Sequence, residues 1–256
     1  MAEKKYDLAI VGAGMAGCTL AGKIAEQGVH QSTGEPLKIA LFDRGPYFKG
    51  NSSPGYGHPV RRKMFTNISN DFRGRYMVRT GLPPGERRKV PLKPEDEVYT
   101  QGVPAVFGGG TLHYTALTRV PMEVDFDVWV DETGADWSYQ TLKPFADQIT
   151  RDFNIHARPK ELLCRLDHLL RDAAQSMGYQ PYDATIAKQN CLLSGYCDGT
   201  NMCKYDARQG SFLVYLPLAE ERKVQMIPDA AVERVVIERR GAQVRVTGVE
   251  YTQNGI

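Results

Sequence analysis

Gly12-Ala13-Gly14-Met15-Ala16-Gly17 is the spacing with which a chain can seat a pyrophosphate on backbone alone, and Asp43 further on is an acid able to accept from ribose hydroxyls. Gly12 permits a tight turn out of a strand, Gly14 lets the backbone approach a phosphate, and Gly17 lets the following helix pack close. The first N–H groups of that helix then point at the anion. An acid where Asp43 stands suits FAD or NAD and would repel a ribose phosphate. Asp43 and Arg44 come later than the usual acid about 20 residues beyond the glycines, and the polar stretch His30 to Lys38 accounts for the delay.

The surrounding elements must place these residues. The apolar run from Tyr6 to Val11 predicts a strand, Cys18 to Gln27 a helix of small residues, and Lys38 to Phe42 a second strand. Beyond Gly45-Pro46 and up to about Thr100, Gly, Pro, Asn and basic residues predict long functional loops laid over a large ligand. Val103 to Arg119 follows, with Gly108, Gly109, Gly110 and Thr111 at its centre. Ser138 reads as an N-cap and Pro144 as an early-turn proline of a helix. Lys160 to Gly178 predicts one amphipathic helix with Leu162, Leu163, Leu166, Leu169 and Leu170 in the core. Phe212 to Val224 predicts a short helix. The runs VQMIP, AVERVVIE and VRVTGVEY predict a small antiparallel sheet, and Asn254-Gly255 signals a turn toward a further strand.

The whole chain limits the alternatives. It has 256 residues, 42% hydrophobic content and a formal charge of +2, which suit a globular protein and give no basis for a nucleic-acid surface. The basic clusters Arg61 to Lys63 and Glu86 to Lys89 read as solvated loops. No run reaches the roughly 18 apolar residues of a membrane span, and the start carries no export signal, so a cytoplasmic location is expected. Five cysteines without such a signal read as reduced thiols. Cys164 and His168, one helical turn apart, and Cys191, Cys197 and Cys203 lack the converging partners that a metal site needs, so no metal is expected.

The N-terminal turn, the GGGTLHYTALTR segment, DWSYQTLKPF, and YLPLA followed by AVERVVIE occur in an order that resembles the glucose-methanol-choline (GMC) oxidoreductase family, its N-terminal half. Within that family the Gly-rich segment is most similar to pyranose-oxidase-like members and gluconate-dehydrogenase flavoproteins. The resemblance implies an α/β fold with a Rossmann-like FAD-binding core and a partial substrate-side region of helices and loops, the chain stopping inside the fold. Its implied divisions are 1–120 for FAD, 121–205 for a partial cap, and 206–256 for a return to the FAD domain. It also implies that Gly109, Gly110, Thr111 and His113 run past the flavin and that the backbone of Val232 meets the adenine. For His113 three readings stand open: covalent flavin carrier, noncovalent packing, or a purely structural histidine.

The implied reaction transfers hydride from a CH–OH group of a sugar, glycoside or polyol to flavin, while a base takes the hydroxyl proton. The family places a His paired with His or Asn near its far C-terminus, and no motif here matches it. The five histidines, His30, His58, His113, His156 and His168, all lie in segments with other readings. No catalytic residue is therefore assigned. A second chain completing the fold is one expected partner, and a noncatalytic flavin-binding subunit is the alternative function.

Overall fold

The computed structural model describes residues 5–47, 106–112, 114–192, 203, 206–241 and 243–253, with the backbone alone of 77–79 and 102–104. Most of the long loop region, both basic clusters, His58, His113 and Cys197 lie outside these residues, as does the Asn254-Gly255 turn. In chain order the elements are β1 (Leu8–Val11), α1 (Met15–Gln27), β2 (Ile39–Phe42), β3 (Met77–Arg79), β4 (Gly102–Pro104), a 3-10 turn (Gly109–Leu112), α2 (Glu123–Thr133), α3 (Tyr139–Asp152), β5 (Ile155–Ala157), a second 3-10 turn (Lys160–Leu162), α4 (Arg165–Ser176), β6 (Thr185–Ala187), α5 (Ser211–Glu221), β7 (Gln225–Ile227), β8 (Ala230–Arg240) and β9 (Gln243–Gln253). They divide between two compact units, one of Met1–Tyr114, Gly195–Asp206 and Gly210–Ile256, the other of Thr115–Ser194 and Ala207–Gln209.

The first unit is built on a parallel sheet in the order β1-β2-β7. Leu8 pairs with Ile39 through to Val11 with Phe42, and Ala40 to Phe42 pair with Gln225 to Ile227. All four residues of the central strand β2 are buried, which is what an unbroken apolar run is for in a parallel sheet covered on both faces. The inserted turn after α1 closes on itself, His30 N–H donating to the Glu35 carbonyl at 2.8 Å. Its return is held by Asp7, whose carboxylate accepts from Lys38 N–H at 2.7 Å and pairs with His30 at 3.0 Å.

Helix α1 buries small residues, Cys18, Ala21 and Gly22, so α5 approaches closely. A Cβ on Gly22 would stand 3.0 Å from the Tyr215 carbonyl oxygen. Phe212, Tyr215, Leu216 and Ala219 form the buried face of α5, and the Lys23 ammonium lies 5.6 Å from the Tyr215 ring centre. The Cys18 Sγ donates to the Ala13 carbonyl at 3.0 Å, directly beneath the glycine turn.

The strand VQMIP is a correction to the sequence expectation. It becomes β7, a parallel partner of β2, while only β8 and β9 form the antiparallel sheet. Three residues are too few for alternation to declare a direction; the buried edge of β2 decides it. In the β8–β9 hairpin, register shifts fall between Val232 and Arg234 and between Val236 and Ile237. They leave Val232 opposite Tyr251, Val235 opposite Val249, Ile237 opposite Val246 and Arg239 opposite Val244, which gathers these valines, Ile237 and Tyr251 on one face, with Val236 on the other. At the hairpin's base this face covers Ala40 and Phe42, with the Tyr251 and Phe42 rings 5.1 Å apart.

In the second unit, Ser138 caps α3 as expected, its Oγ accepting from Thr141 N–H at 3.3 Å. Pro144 sits in the second turn, not the first, and so removes an N–H that would reach Gln140. Phe126 of α2 packs against the rings of Trp129 and Tyr139 at 5.1 and 5.5 Å. The strands β5 and β6 pair antiparallel, and Phe153 is fully buried beside them.

The single helix expected over Lys160 to Gly178 is also corrected. A 3-10 turn ends at Leu162, Leu163 is extended, and α4 starts afresh at Arg165. The Asp167 carboxylate causes the restart by accepting from Cys164 N–H at 2.8 Å. Arg158 pairs with the same carboxylate at 3.3 Å and donates to the Leu162 carbonyl, holding the turn before it. Leu166, Leu169 and Leu170 are 60%, 53% and 61% exposed, so the helical stripe is real but it is no part of the core of the described residues. Periodicity names a face and leaves open what that face meets.

Two outcomes follow for stability. In the 256-residue chain, Leu170→Gln changes the unfolding free energy by less than about 0.5 kcal/mol, whereas Phe153→Ala costs about 3–5 kcal/mol; chemical denaturation compares them, and equal losses would contradict the outward stripe. Burial pushes the Cys18 thiol up to about 12, against weaker opposition from the Gly108 N–H and the Ser211 hydroxyl and with a small further push from Asp43. The native state thus keeps a proton that the unfolded chain releases earlier, so this contribution is intact below the ordinary thiol range and is lost as pH rises toward about 12. At pH 8 iodoacetamide should modify exposed Cys164 and spare Cys18 until denaturant is added, read by peptide mass.

Candidate functional site

At the end of β1 the chain turns through Gly12, at a φ of 93°, and enters α1 with Gly14 as N-cap. Among the described residues no side chain caps this helix, and its first turn holds no acid, so the N–H groups of its first turn remain directed beyond the helix end. The thirteen residues of α1 supply a positive N-terminal field that nothing in the first turn neutralises. Among the described residues nothing lies within 4 Å of where a Gly14 Cβ would stand. Open space, free donors and positive potential coincide there, which is the physical requirement for a phosphate group.

Gly17 serves the opposite purpose. A Cβ there would overlap the Gly12 carbonyl oxygen, so the residue is glycine because the turn is packed under the helix.

Asp43 follows β2 and ties the arrangement together. Its Oδ2 accepts from the Ala13 N–H and its Oδ1 from the Gly45 N–H, both at 2.8 Å. The same end of β2 is held through backbone: Gly12 N–H donates to the Phe42 carbonyl at 2.8 Å, Ala230 N–H to that of Asp43 at 2.8 Å, and Asp229 N–H to that of Gly45 at 3.0 Å. A carboxylate has about four lone-pair sites, so the two occupied ones leave capacity for ribose hydroxyls. Sequence reasoning named Asp43 as a candidate ribose ligand and missed these bonds to the backbone. The Asp-x-Gly pattern at Asp43 to Gly45 was the available signal, since an aspartate commonly accepts from the N–H two residues on.

The Gly-rich segment reaches the same place from a distant part of the chain. Gly108 N–H donates to the Ala13 carbonyl at 2.7 Å. Gly109, at a φ of 52°, approaches so closely that its Cβ would lie 2.9 Å from the Gly14 Cα. Beside it, Gly110 is exposed and has nothing among the described residues within 4 Å of its would-be Cβ. The Thr111 hydroxyl is turned inward, donating to the Gly108 carbonyl at 2.6 Å and lying 3.1 Å from Ser211 Oγ at the start of α5. Gly210 and Ser211 were not anticipated; both are small because α5 begins against Thr111, where a Gly210 Cβ would stand 2.7 Å from the Thr111 Cβ.

The structure thus brings Gly12, Gly14, Met15, Ala16, Gly17, Asp43, Gly109 and Thr111 together in one unit. Met15, Ala16 and Arg44 are exposed. Val232 is half-buried on β8, packed against the cluster of Ala40, Phe42 and Ala230 that underlies the end of β2. His113 lies outside the described residues. Among the described histidines, His30 pairs with Asp7 and His156 Nδ1 lies 2.7 Å from the Asn154 carbonyl. Among the described residues no three His, Cys, Asp or Glu side chains gather as a metal set, and no helix is long and apolar enough to cross a membrane.

The gluconate 2-dehydrogenase flavoprotein of Pantoea cypripedii is 24% identical over 315 aligned positions, covering 97% of this chain and 48% of that protein. The crystal structure of pyridoxine 4-oxidase from Mesorbium loti shares the fold with a TM-score of 0.63 at 16% identity, over 98% of this chain and 46% of that one. The chain therefore spans about half the length of the relatives it matches. The GMC oxidoreductase family model matches residues 6–255, and with the dinucleotide turn and the Gly-rich segment meeting as they do, the chain belongs to the GMC oxidoreductase family.

Proposed function

We propose that this chain is the FAD-binding part of a cytoplasmic oxidoreductase acting on a CH–OH group of a sugar, glycoside or polyol, with oxygen or another acceptor taking the electrons. The observation that carries the reading is the uncapped N-terminus of α1, open at Gly14 and approached by Gly109. Residues 1–120 and 206–256 would hold the cofactor, and 121–205 would belong to the substrate side. The N–H groups of Met15, Ala16 and Gly17 would bind the pyrophosphate, Asp43 and the adjoining Arg44 the adenosine ribose, and the Val232 backbone the adenine. Gly109, Gly110 and Thr111 would carry the chain past the ring system. When bound, FAD supplies the two-electron oxidant for the alcohol. The catalytic His pair is assigned to a C-terminal half or a partner chain.

A second reading makes this chain a noncatalytic flavin subunit that assembles with a partner. It is favoured by the exposed apolar side chains of α4 and of the outer β8–β9 hairpin, where Val244 and Val246 are 57% and 62% exposed. Purified chain assayed with an alcohol panel and a dye acceptor addresses both readings. Neither allows turnover by the 256 residues alone, so sustained dye reduction would overturn the assignment of the base elsewhere.

The two key glycines separate binding from folding. Gly14→Val should leave the far-UV spectrum and unfolding midpoint near wild type and weaken FAD binding more than about tenfold by filling the phosphate space. Gly17→Ala should lose folded protein, because its Cβ meets backbone oxygen. Wild-type FAD affinity in Gly14→Val, by fluorescence titration, would sink the site. For His113, flavin absorbance remaining with acid-precipitated protein and vanishing in His113→Ala would establish the covalent bond; complete release of flavin to the supernatant would establish noncovalent binding.

A further inference from the structure

The two arms of the site, the end of β2 and the Gly108–Gly109 turn, are joined by a residue that neither arm needs for cofactor contact. Tyr47 lies four residues beyond Asp43, and its hydroxyl donates to Glu220 Oε2 on α5 at 2.8 Å. Its ring lies 5.0 Å from that of Phe107, tilted by 51°. The neighbouring Pro46 carbonyl accepts from Phe107 N–H at 3.2 Å, and the next residue, Gly108, donates to Ala13 in the glycine turn. Phe107 is fully buried, so a displacement at Pro46 has no empty space to absorb it before it reaches Gly108.

We propose that Tyr47 is a positioning residue, which through Glu220 anchors Pro46 and Phe107 and thereby holds Gly109 at its close distance from Gly14. The anchor is well chosen. α5 packs on α1, so Glu220 refers the Tyr47 hydroxyl to the same helix whose N-terminus receives the phosphates. The aromatic packing gives adhesion, while the hydroxyl gives direction; only the second requires tyrosine rather than phenylalanine. Burial, and then the adjacent Glu220 carboxylate, keep the Tyr47 phenol protonated well above its ordinary range, so it stays a donor.

This inference rests on the FAD reading, and its test is arranged to separate the two. Wild type, Tyr47→Phe, Glu220→Gln, Glu220→Ala and the double variant Tyr47→Phe/Glu220→Ala are titrated with FAD, and visible circular dichroism of the bound flavin is recorded at saturation. Tyr47→Phe and Glu220→Ala should each weaken FAD about tenfold and alter the dichroic band, and the double variant should be no worse than either. Glu220→Gln, whose amide oxygen still accepts the phenol proton, should stay within about twofold of wild type. A merely structural role would lower the unfolding midpoint and leave the dichroism of saturated protein unchanged, which would overturn the proposal, as would wild-type affinity in Tyr47→Phe. Failure of the wild type itself to bind FAD would instead sink the proposed function.

Discussion

The carboxylate of Asp43 is the connection on which the first unit depends, because it binds the glycine turn after β1 to the end of β2. Hydrogen bonds to a charged acceptor are worth about 1.5–3 kcal/mol, and Asp43 accepts two from backbone N–H groups that would otherwise lose partners at strand ends. With Ala13 held there, its carbonyl faces the other way, toward the Gly108 N–H and the Cys18 thiol. The turn is therefore held from both sides. Its free N–H donors are what remains after those internal needs are met.

Close packing of small residues extends the same constraint outward. Gly17 under Gly12, Gly22 under Tyr215, Gly109 against Gly14 and Gly210 against Thr111 are places where a methyl group would meet backbone or a neighbouring side chain. In consequence β1, α1, the Gly-rich segment and the start of α5 cannot shift independently, since a dense interior passes displacement along. Tyr47 and Glu220 close this set at the far end of the β2 loop. The glycine turn is thereby fixed in place while the space at Gly14 stays open among the described residues.

The second unit and the hairpin obey another logic. In α4 the restart at Cys164 is imposed by Asp167 and Arg158, and the leucine stripe that results is exposed among the described residues. In the hairpin two register shifts collect most of the apolar residues on one face, while Arg234 and Glu250 pair across the other at 2.5 Å. Bulges of this kind turn side chains without breaking the strand pair. Both features are local solutions that leave apolar side chains exposed among the described residues.

By itself the sequence determined the parts whose physics is local: the strand, glycine turn and helix from Tyr6 to Gln27, the acid at Asp43, the Ser138 cap, and the stop of α4 before Gly178. Each depends on a backbone angle, a cap or a period that neighbouring residues specify. Tertiary structure decided that β7 runs parallel beside β2, that the leucines of α4 face outward, and that Asp43 is committed to Ala13 and Gly45. It also decided that residues as distant as Gly14, Gly109 and Ser211 share one site. Those outcomes turn on which surface meets which, and a pattern along the chain records only that a surface exists.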